Sequence, residues 1–367
     1  MGSMITAIHY CVPSEKLTNE QLVERFGERT IGAISKMSGI IERRVSPADC
    51  STSDLGTFAA EQLLSAHHID RQTIDLIVVG TETPDYQTPA TACVMNGRLG
   101  LSDRCASFDV SMGCSAFPYA LAVVHSMVVA GLATRALLVV ADTLTKVLHP
   151  DDRGLVPLHG DGAMACIVER CKVNEGNIGF FLGTDGKSHH HLVIPASGTR
   201  MSRNEKTRET YRDESGVSRS LEHMHMNGPA VFSFSLHRVP DMIRQALAIQ
   251  NLTMDQVDLV LLHQANKKMV DQIYTVLKVP EEKRFFFMEK IGNCAAASSA
   301  ILYAEAWRQG VVKPGMTVLV AGFGVGLSWG IAIMKCPLGI DASTHALTDY
   351  DASKITKYEL NITGAPQ

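Results

Sequence analysis

An internal repeat restricts the fold more than any other feature of this chain. The stretch from Ile69 to Val79 (Ile-Asp-Arg-Gln-Thr-Ile-Asp-Leu-Ile-Val-Val) returns 183 positions later as Leu252 to Leu262 (Leu-Thr-Met-Asp-Gln-Val-Asp-Leu-Val-Leu-Leu). A second pair, Ala136 to Asp142 and Thr317 to Phe323, recurs at an offset of 181. Each copy of the first pair follows an amphipathic helical stretch, near Gly56 to Ala66 and Asp241 to Ile249. Each ends in an unbroken aliphatic run of the kind that suits a strand buried on both faces. Two matches at nearly one offset predict a duplicated α/β chain, with mixed sheets covered by helices. The half boundary is expected near residues 172 to 180, giving an N-terminal half over 4–175, a C-terminal half over 176–336 and a polar tail over 337–367 with no role that its residues reveal. The polar stretch from Gly186 to Met226 reads as an excursion over the surface that lines an entrance.

Composition then limits the partners. Of the 367 residues, 46% are hydrophobic and 20% charged, enough to bury a large core. Lys and Arg total 34 against 38 Asp and Glu, a net charge of -4 that offers no footprint for nucleic acid or anionic lipid. Nine cysteines, an odd number with no CxxC pair or regular spacing, argue against a disulfide framework or a zinc site and for a reducing, cytoplasmic setting with no metal or cofactor. Met1-Gly2-Ser3-Met4 reads as a cloning remnant ahead of the natural start, and no export signal follows it. The most membrane-like segment, Ala120 to Ala141, is interrupted by His125, Ser126, Gly131 and Arg135 and reads as a buried helix followed by a buried strand, so no membrane span is expected.

Four segments carry chemistry. In Phe108-Asp109-Val110-Ser111-Met112-Gly113-Cys114-Ser115-Ala116, a strand is followed by small residues and a long helix closed by Gly131. A cysteine at such a turn faces unpaired helix amides, whose partial positive charge favours thiolate and is expected to lower the pKa, so Cys114 is a candidate nucleophile; the alternative is an inert core thiol. His263-Gln264-Ala265-Asn266 directly follows a buried strand, where α/β folds gather ligand chemistry, and its histidine is either a proton donor to a carbonyl or a satisfied boundary residue. Gly292-Asn293 opens a helix of small residues, with Asn293 either offering an amide donor or capping that helix. Ala321 to Gly330 is glycine-rich, matches neither a Walker A loop nor a dinucleotide fingerprint, and reads as a turn exposing backbone amides to an oxyanion.

Taken in this order, the segments resemble the β-ketoacyl-ACP synthase III-like condensing enzymes of the thiolase superfamily, probed most specifically by Ser38-Gly39-Ile40 with Glu42-Arg43, Cys114, Asp151-Asp152-Arg153-Gly154, Gly160-Asp161-Gly162-Ala163, His263-Gln264-Ala265-Asn266, Gly292-Asn293 and Gly322-Phe323-Gly324. The resemblance spans roughly residues 4 to 336 and implies the family's duplicated, five-layered αβαβα fold and a homodimer. It implies an acyltransferase that takes an acyl group from an acyl-CoA or acyl-carrier-protein thioester onto Cys114, then joins it to a malonyl- or β-ketoacyl-type extender under His263 and Asn293. The oxyanion hole would be the amides of Cys114 and Val325, each such donor supplying about 3 kcal/mol. Arg153, Gln264, Asn266, Lys267, Lys268 and Phe323 would meet the substrate or an acidic carrier protein. Relatives that acylate an alcohol or amine tend to carry Asp where this chain has Asn293, so condensation is favoured over plain acyl transfer; an inactive partner subunit is a third reading that the three retained catalytic residue types oppose. The positions where housekeeping fatty-acid initiation enzymes carry the Trp and Arg that hold the coenzyme A nucleotide match Ala33 and Met37, which points toward a carrier-bound donor and a specialised branch of fatty-acid or polyketide metabolism. In that branch His149, Asp151 and Asp152 are candidates for an extra proton transfer.

Overall fold

The computed structural model describes residues 1–172, 178–337 and 347–354. The expected boundary between the halves at 175/176 lies outside the described residues. The principal strands are β1 (Gly2–Pro13), β2 (Leu76–Thr81), β3 (Ala106–Ser111), β4 (Arg135–Asp142), β5 (Gly162–Cys171), β6 (Ile178–Thr184), β7 (Leu259–Leu262), β8 (Thr317–Gly324), β9 (Ser328–Lys335) and β10 (Leu347–Tyr350). The principal helices are α1 (Thr52–Ala66), α2 (Thr91–Leu99), α3 (Ala116–Ala130), α4 (Gly228–Ile249), α5 (Lys267–Leu277) and α6 (Ser298–Arg308).

The strands form two main sheets, ordered β10-β1-β5-β4-β2-β3 and β6-β9-β8-β7. The repeat is visible in this order. In the first sheet β1 and β5 run antiparallel, as do β5 and β4, while β4 and β2 are parallel. The second sheet repeats the pattern with β6, β9, β8 and β7. The matched aliphatic runs are β2 and β7, and β4 and β8, each of the first pair preceded by one 3-10 turn, Arg71–Thr73 or Met254–Gln256.

Helices α3 and α6 lie between the sheets, α1 and α2 cover the outer face of the first, and α4 and α5 cover the outer face of the second. The chain thus has the five-layered αβαβα thiolase-like architecture. Helix α3 fits the middle layer because its sequence is apolar on nearly all sides, and Gly131 ends it in the left-handed conformation. Glycines bring the sheets close to it: a Cβ at Gly330 would stand 2.8 Å from Pro118, and one at Gly80 3.3 Å from Ala116. The two halves are joined by Glu305 of α6, which accepts hydrogen bonds from the Tyr10 hydroxyl of β1 at 2.6 Å and from both ends of the Arg308 guanidinium.

Both chain ends depart from a simple reading of the sequence. Gly2 to Met4 pair with Cys171 to Glu169 as part of β1, and the Ser3 hydroxyl meets His125 Nδ1 at 2.9 Å. The described part of the polar tail, β10, adds a parallel edge strand to β1, held by Arg44 on Asp349 at 2.8 Å and by Tyr350 packed edge-on to Phe58.

Candidate active site

Strand ends and one turn ahead of a helix deliver the functional groups. Cys114 stands in the turn between β3 and α3, His263 directly after β7, Asn293 in the turn ahead of α6, and Val325 in the β8–β9 hairpin. Cys114, His263 and Asn293 line one cavity of about 40 Å³, with Glu82, His159 and Phe323 in its wall. Leu192, Met224 and Met226, from the polar excursion expected to border an entrance, also line it.

Three glycines make room at the nucleophile. The Cys114 sulfur lies against Gly324, where a Cβ would be 2.6 Å from Sγ, and the Cys114 carbonyl lies against Gly322, where a Cβ would be 2.5 Å from its oxygen. A Cβ at Gly113 would stand 2.5 Å from Glu82 Oε2 and collide with the Val325 side chain. The backbone amides of Val325 and of Cys114 itself are directed at the sulfur and favour its anion.

The expected lowering of the Cys114 pKa is overturned. Burial pushes the thiol far above its ordinary range, the Glu82 carboxyl pushes it further, and the two amides offset only part of this. The partial charge of the helix end does not compensate for removing a thiolate from water, so the resting group is a thiol.

His263 is 1% exposed. Burial first, and His159 second, lower its pKa to about 3, so the imidazole is neutral at physiological pH. Its backbone amide is anchored on Ala321, its ring meets the Phe323 ring edge-on at 5.7 Å, and its Nδ1 makes no hydrogen bond among the described residues. Asn293 does not cap α6, which begins at Ser298. Its Oδ1 instead accepts from the Ala295 amide at 3.1 Å, which leaves the NH₂ group to donate into the cavity. Its backbone is clamped to the Leu158–Gly160 segment by Asn293 N on Leu158 O and Gly160 N on Asn293 O. A neutral imidazole and a carboxamide together form a donor pair suited to an enolate oxygen.

Two further polar groups in the wall, Glu82 and His159, escaped the sequence reading. His159 Nδ1 bonds the Leu155 carbonyl at 2.9 Å, which leaves Nε2 as an acceptor. Glu82 follows β2, and its place at a strand end was the signal that could have marked it. Asp142 at the end of β4 ties the site together: its Oδ1 accepts from the Thr81 hydroxyl, the Glu82 amide and both the amide and hydroxyl of Thr83, and its Oδ2 from the Ala296 amide. It thereby fixes the Glu82 loop and the segment after Asn293 to one carboxylate.

Of the residues expected to meet substrate, Phe323 lines the cavity. Gln264 and Asn266 are held by the scaffold: Gln264 donates to Leu262 O and accepts from the Phe287 amide, while Asn266 caps α5 by accepting from the Met269 amide. Lys267 and Lys268 are exposed at the start of α5, and Arg153 is exposed with its guanidinium on Ser215 O. His149, Asp151 and Asp152 do not reach the cavity: His149 bonds Thr210, Asp151 donates its amide to His149, and Asp152 accepts from the Gly154 and Leu155 amides. Ala33 and Met37 stand exposed on the helix Glu28–Ser38. Two larger spaces adjoin the catalytic cavity. One of about 360 Å³ shares His159 with it, and one of about 720 Å³ shares Met226.

Comparison with known proteins agrees with this geometry. The family model described as 3-oxoacyl-[acyl-carrier-protein] synthase III matches residues 108–186, and its C-terminal counterpart matches residues 247–336. A β-ketoacyl-[acyl-carrier-protein] synthase III from Caldanaerobacter subterraneus subsp. tengcongensis is 35% identical over 324 residues, covering 88% of this chain and 95% of that protein. A crystal structure of a 3-oxoacyl-(acyl-carrier-protein) synthase III superposes with a TM-score of 0.88 at 32% identity, covering 91% of this chain and 100% of the other. The priming β-ketosynthase from the R1128 polyketide biosynthetic pathway superposes with a TM-score of 0.80 at 29% identity, covering 92% and 97%.

Proposed function

The chain belongs to the 3-oxoacyl-[acyl-carrier-protein] synthase III family of ketosynthases, and on that premise we propose that it joins an acyl group, loaded on Cys114 from an acyl-CoA or acyl-carrier-protein thioester, to a malonyl- or β-ketoacyl-type extender by Claisen condensation. The observation that carries the proposal is the meeting of Cys114, His263 and Asn293 in one cavity although they come from three separate segments, the turn after β3, the end of β7 and the turn ahead of α6.

In the first half-reaction the Cys114 sulfur attacks the donor carbonyl, and the amides of Cys114 and Val325, already aimed at that sulfur, hold the tetrahedral oxyanion. In the second, the extender loses carbon dioxide and leaves an enolate. His263, neutral because it is buried, and the Asn293 NH₂ donate to the enolate oxygen without giving up a proton, and the carbanion attacks the acyl-Cys114 carbonyl. A charged group in place of either donor would change this balance, which supports condensation over transfer to an alcohol or amine.

The exposed Lys267, Lys268 and Arg153 suit an acidic carrier protein or the phosphate of its prosthetic arm. The exposure of Met37 and Ala33 leaves no planar stack for a nucleotide at those positions and supports a carrier-bound donor in specialised metabolism. A homodimer is supported by β3, whose outer edge meets no other strand among the described residues and whose residues are half-buried or exposed. The test is to incubate the enzyme with a panel of acyl-CoAs and acyl-carrier proteins plus a malonyl thioester. Release of carbon dioxide with a β-ketoacyl product supports the proposal, and formation only of esters, amides or hydrolysis products contradicts it.

A further inference from the structure

The condensation set out above leaves one chemical requirement unassigned. Loading removes a proton from a buried thiol and must give one to the departing thiolate of the donor. The decarboxylative half-reaction ends with a Cys114 thiolate that must be reprotonated, so each turnover imports one proton. A buried site needs a group that carries it.

His263 is poorly placed by its chemistry to do so, since burial and the neighbouring His159 hold its basicity down. His159 already donates Nδ1 to a backbone carbonyl and is itself buried with a lowered pKa, burial being the main cause. Glu82 differs from both. Among the described residues it is the one carboxyl in the cavity wall, its Oε2 lies over the glycine that precedes the nucleophile, and it is half-buried where Cys114, His159 and His263 are buried. Its backbone amide donates to Asp142, whose pKa burial raises to about 6 and whose five hydrogen-bond donors offset part of that rise, so this neighbouring carboxyl is ionised at neutral pH.

We propose that Glu82 is a fourth catalytic residue, the proton carrier between Cys114, the donor's leaving group and solvent. During loading the Glu82 carboxylate takes the Cys114 proton as the carbon–sulfur bond to the donor acyl group forms. The carboxylic acid then returns that proton to the donor thiolate as the old carbon–sulfur bond breaks. After condensation Glu82 takes a proton from solvent and passes it to the freed Cys114 thiolate, so atoms and charge balance over the cycle. The groups that face Glu82 are consistent with this exchange. Burial first, and the Asp142 charge second, raise its pKa well above that of an ordinary glutamate, the direction that strengthens a carboxylate as a proton acceptor. Cys114, His159 and His263 are the other ionisable groups in the same wall, and neither imidazole carries a charge that would reverse the effect.

This inference rests on Cys114 being the acylated residue. The test is the pH dependence of single-turnover acyl loading, read by quenched intact-protein mass spectrometry from pH 5.5 to 9 with wild type and Glu82→Gln, using one acyl thioester that labels the wild type. Wild type is expected to load more slowly at the acid end as Glu82 becomes protonated. Glu82→Gln, which keeps the size of the side chain, is expected to load about 10²-fold more slowly at neutral pH and to lack that acid limb. Loading by Glu82→Gln within threefold of wild type, or a wild-type rate that does not fall toward pH 5.5, overturns the proposal; the second result decides it even if the variant folds poorly. Failure of wild type to label at Cys114 at all would instead count against the condensation reading.

Discussion

The Cys114 sulfur rests against the backbone of Gly324, so closely that a Cβ there would stand 2.6 Å from Sγ and 2.8 Å from the cysteine Cβ. The β8–β9 hairpin that holds this glycine also aims the Val325 amide at the sulfur. Gly324→Ala is therefore expected to displace the nucleophile from its oxyanion donors rather than to unfold the protein. A misplacement of about 1 Å costs about 10²-fold in rate, and acyl loading on Cys114 should fall by that order while the circular dichroism spectrum is kept. Loading at the wild-type rate would show that the glycine does not set the position of the sulfur.

Asn293 donates to the cavity because its oxygen is occupied by the Ala295 amide. Asn293→Asp keeps that acceptor but replaces the NH₂ donor by an anion facing the enolate. Decarboxylation and condensation should fall by about 10²–10³-fold, with acyl loading on Cys114 much less affected. Separate measurement of loading and of carbon dioxide release checks this, and equal losses in both would contradict it.

Cys114 and His263 were legible in the sequence because each follows a strand, and Asn293 because a Gly-Asn turn opens a stretch of small residues there; the duplicated aliphatic runs marked the two sheets that bring these segments together. Glu82 offered only its place after a strand. It lies in Thr81-Glu82-Thr83, a polar stretch with no motif, and the folded chain shows that Gly113 leaves room for its carboxyl. The resting state of Cys114 was misread because a helix end is visible in a sequence whereas the depth of burial is not. The scaffold bonds of Gln264 and Asn266 were hidden for a similar reason, since the backbone partners of a polar side chain next to a candidate histidine are set by the fold. The edge strand β10 had no signal because Leu-Thr-Asp-Tyr lacks the aliphatic run that marked its neighbours.

Burial of His263 makes stability depend on pH. Its folded pKa, about 3, lies below the value near 6.5 of an unfolded histidine, so between these limits the unfolded chain binds a proton that the folded chain does not. Stability from this group therefore falls as pH drops below about 6.5. Replacing it in His263→Asn should lessen the slope of unfolding free energy between pH 5 and 6 by up to roughly 1.4 kcal/mol per pH unit, the value for one proton, as read by denaturant titration. An unchanged slope would contradict the assignment.

Tyr350 is 8% exposed and packs edge-on to Phe58 of α1 at 5.5 Å. The strand that carries it is therefore part of the core rather than an appendage. Tyr350→Ala should destabilise the protein by about 3 kcal/mol, the lower range for losing a buried aromatic ring, as measured by equilibrium unfolding. A change below about 0.5 kcal/mol, the range of surface substitutions, would mean that β10 adds nothing to the fold in solution.

The central claim is that one sulfur carries the acyl group between two substrates. Intact-protein and peptide mass spectrometry of wild type and Cys114→Ala, after exposure to acyl-CoAs and acyl-carrier-protein thioesters, tests it most directly. The account predicts one acyl adduct on the Cys114 peptide, absent from Cys114→Ala and discharged when a malonyl thioester is added. An adduct that persists in Cys114→Ala, or no adduct from any donor, would contradict it.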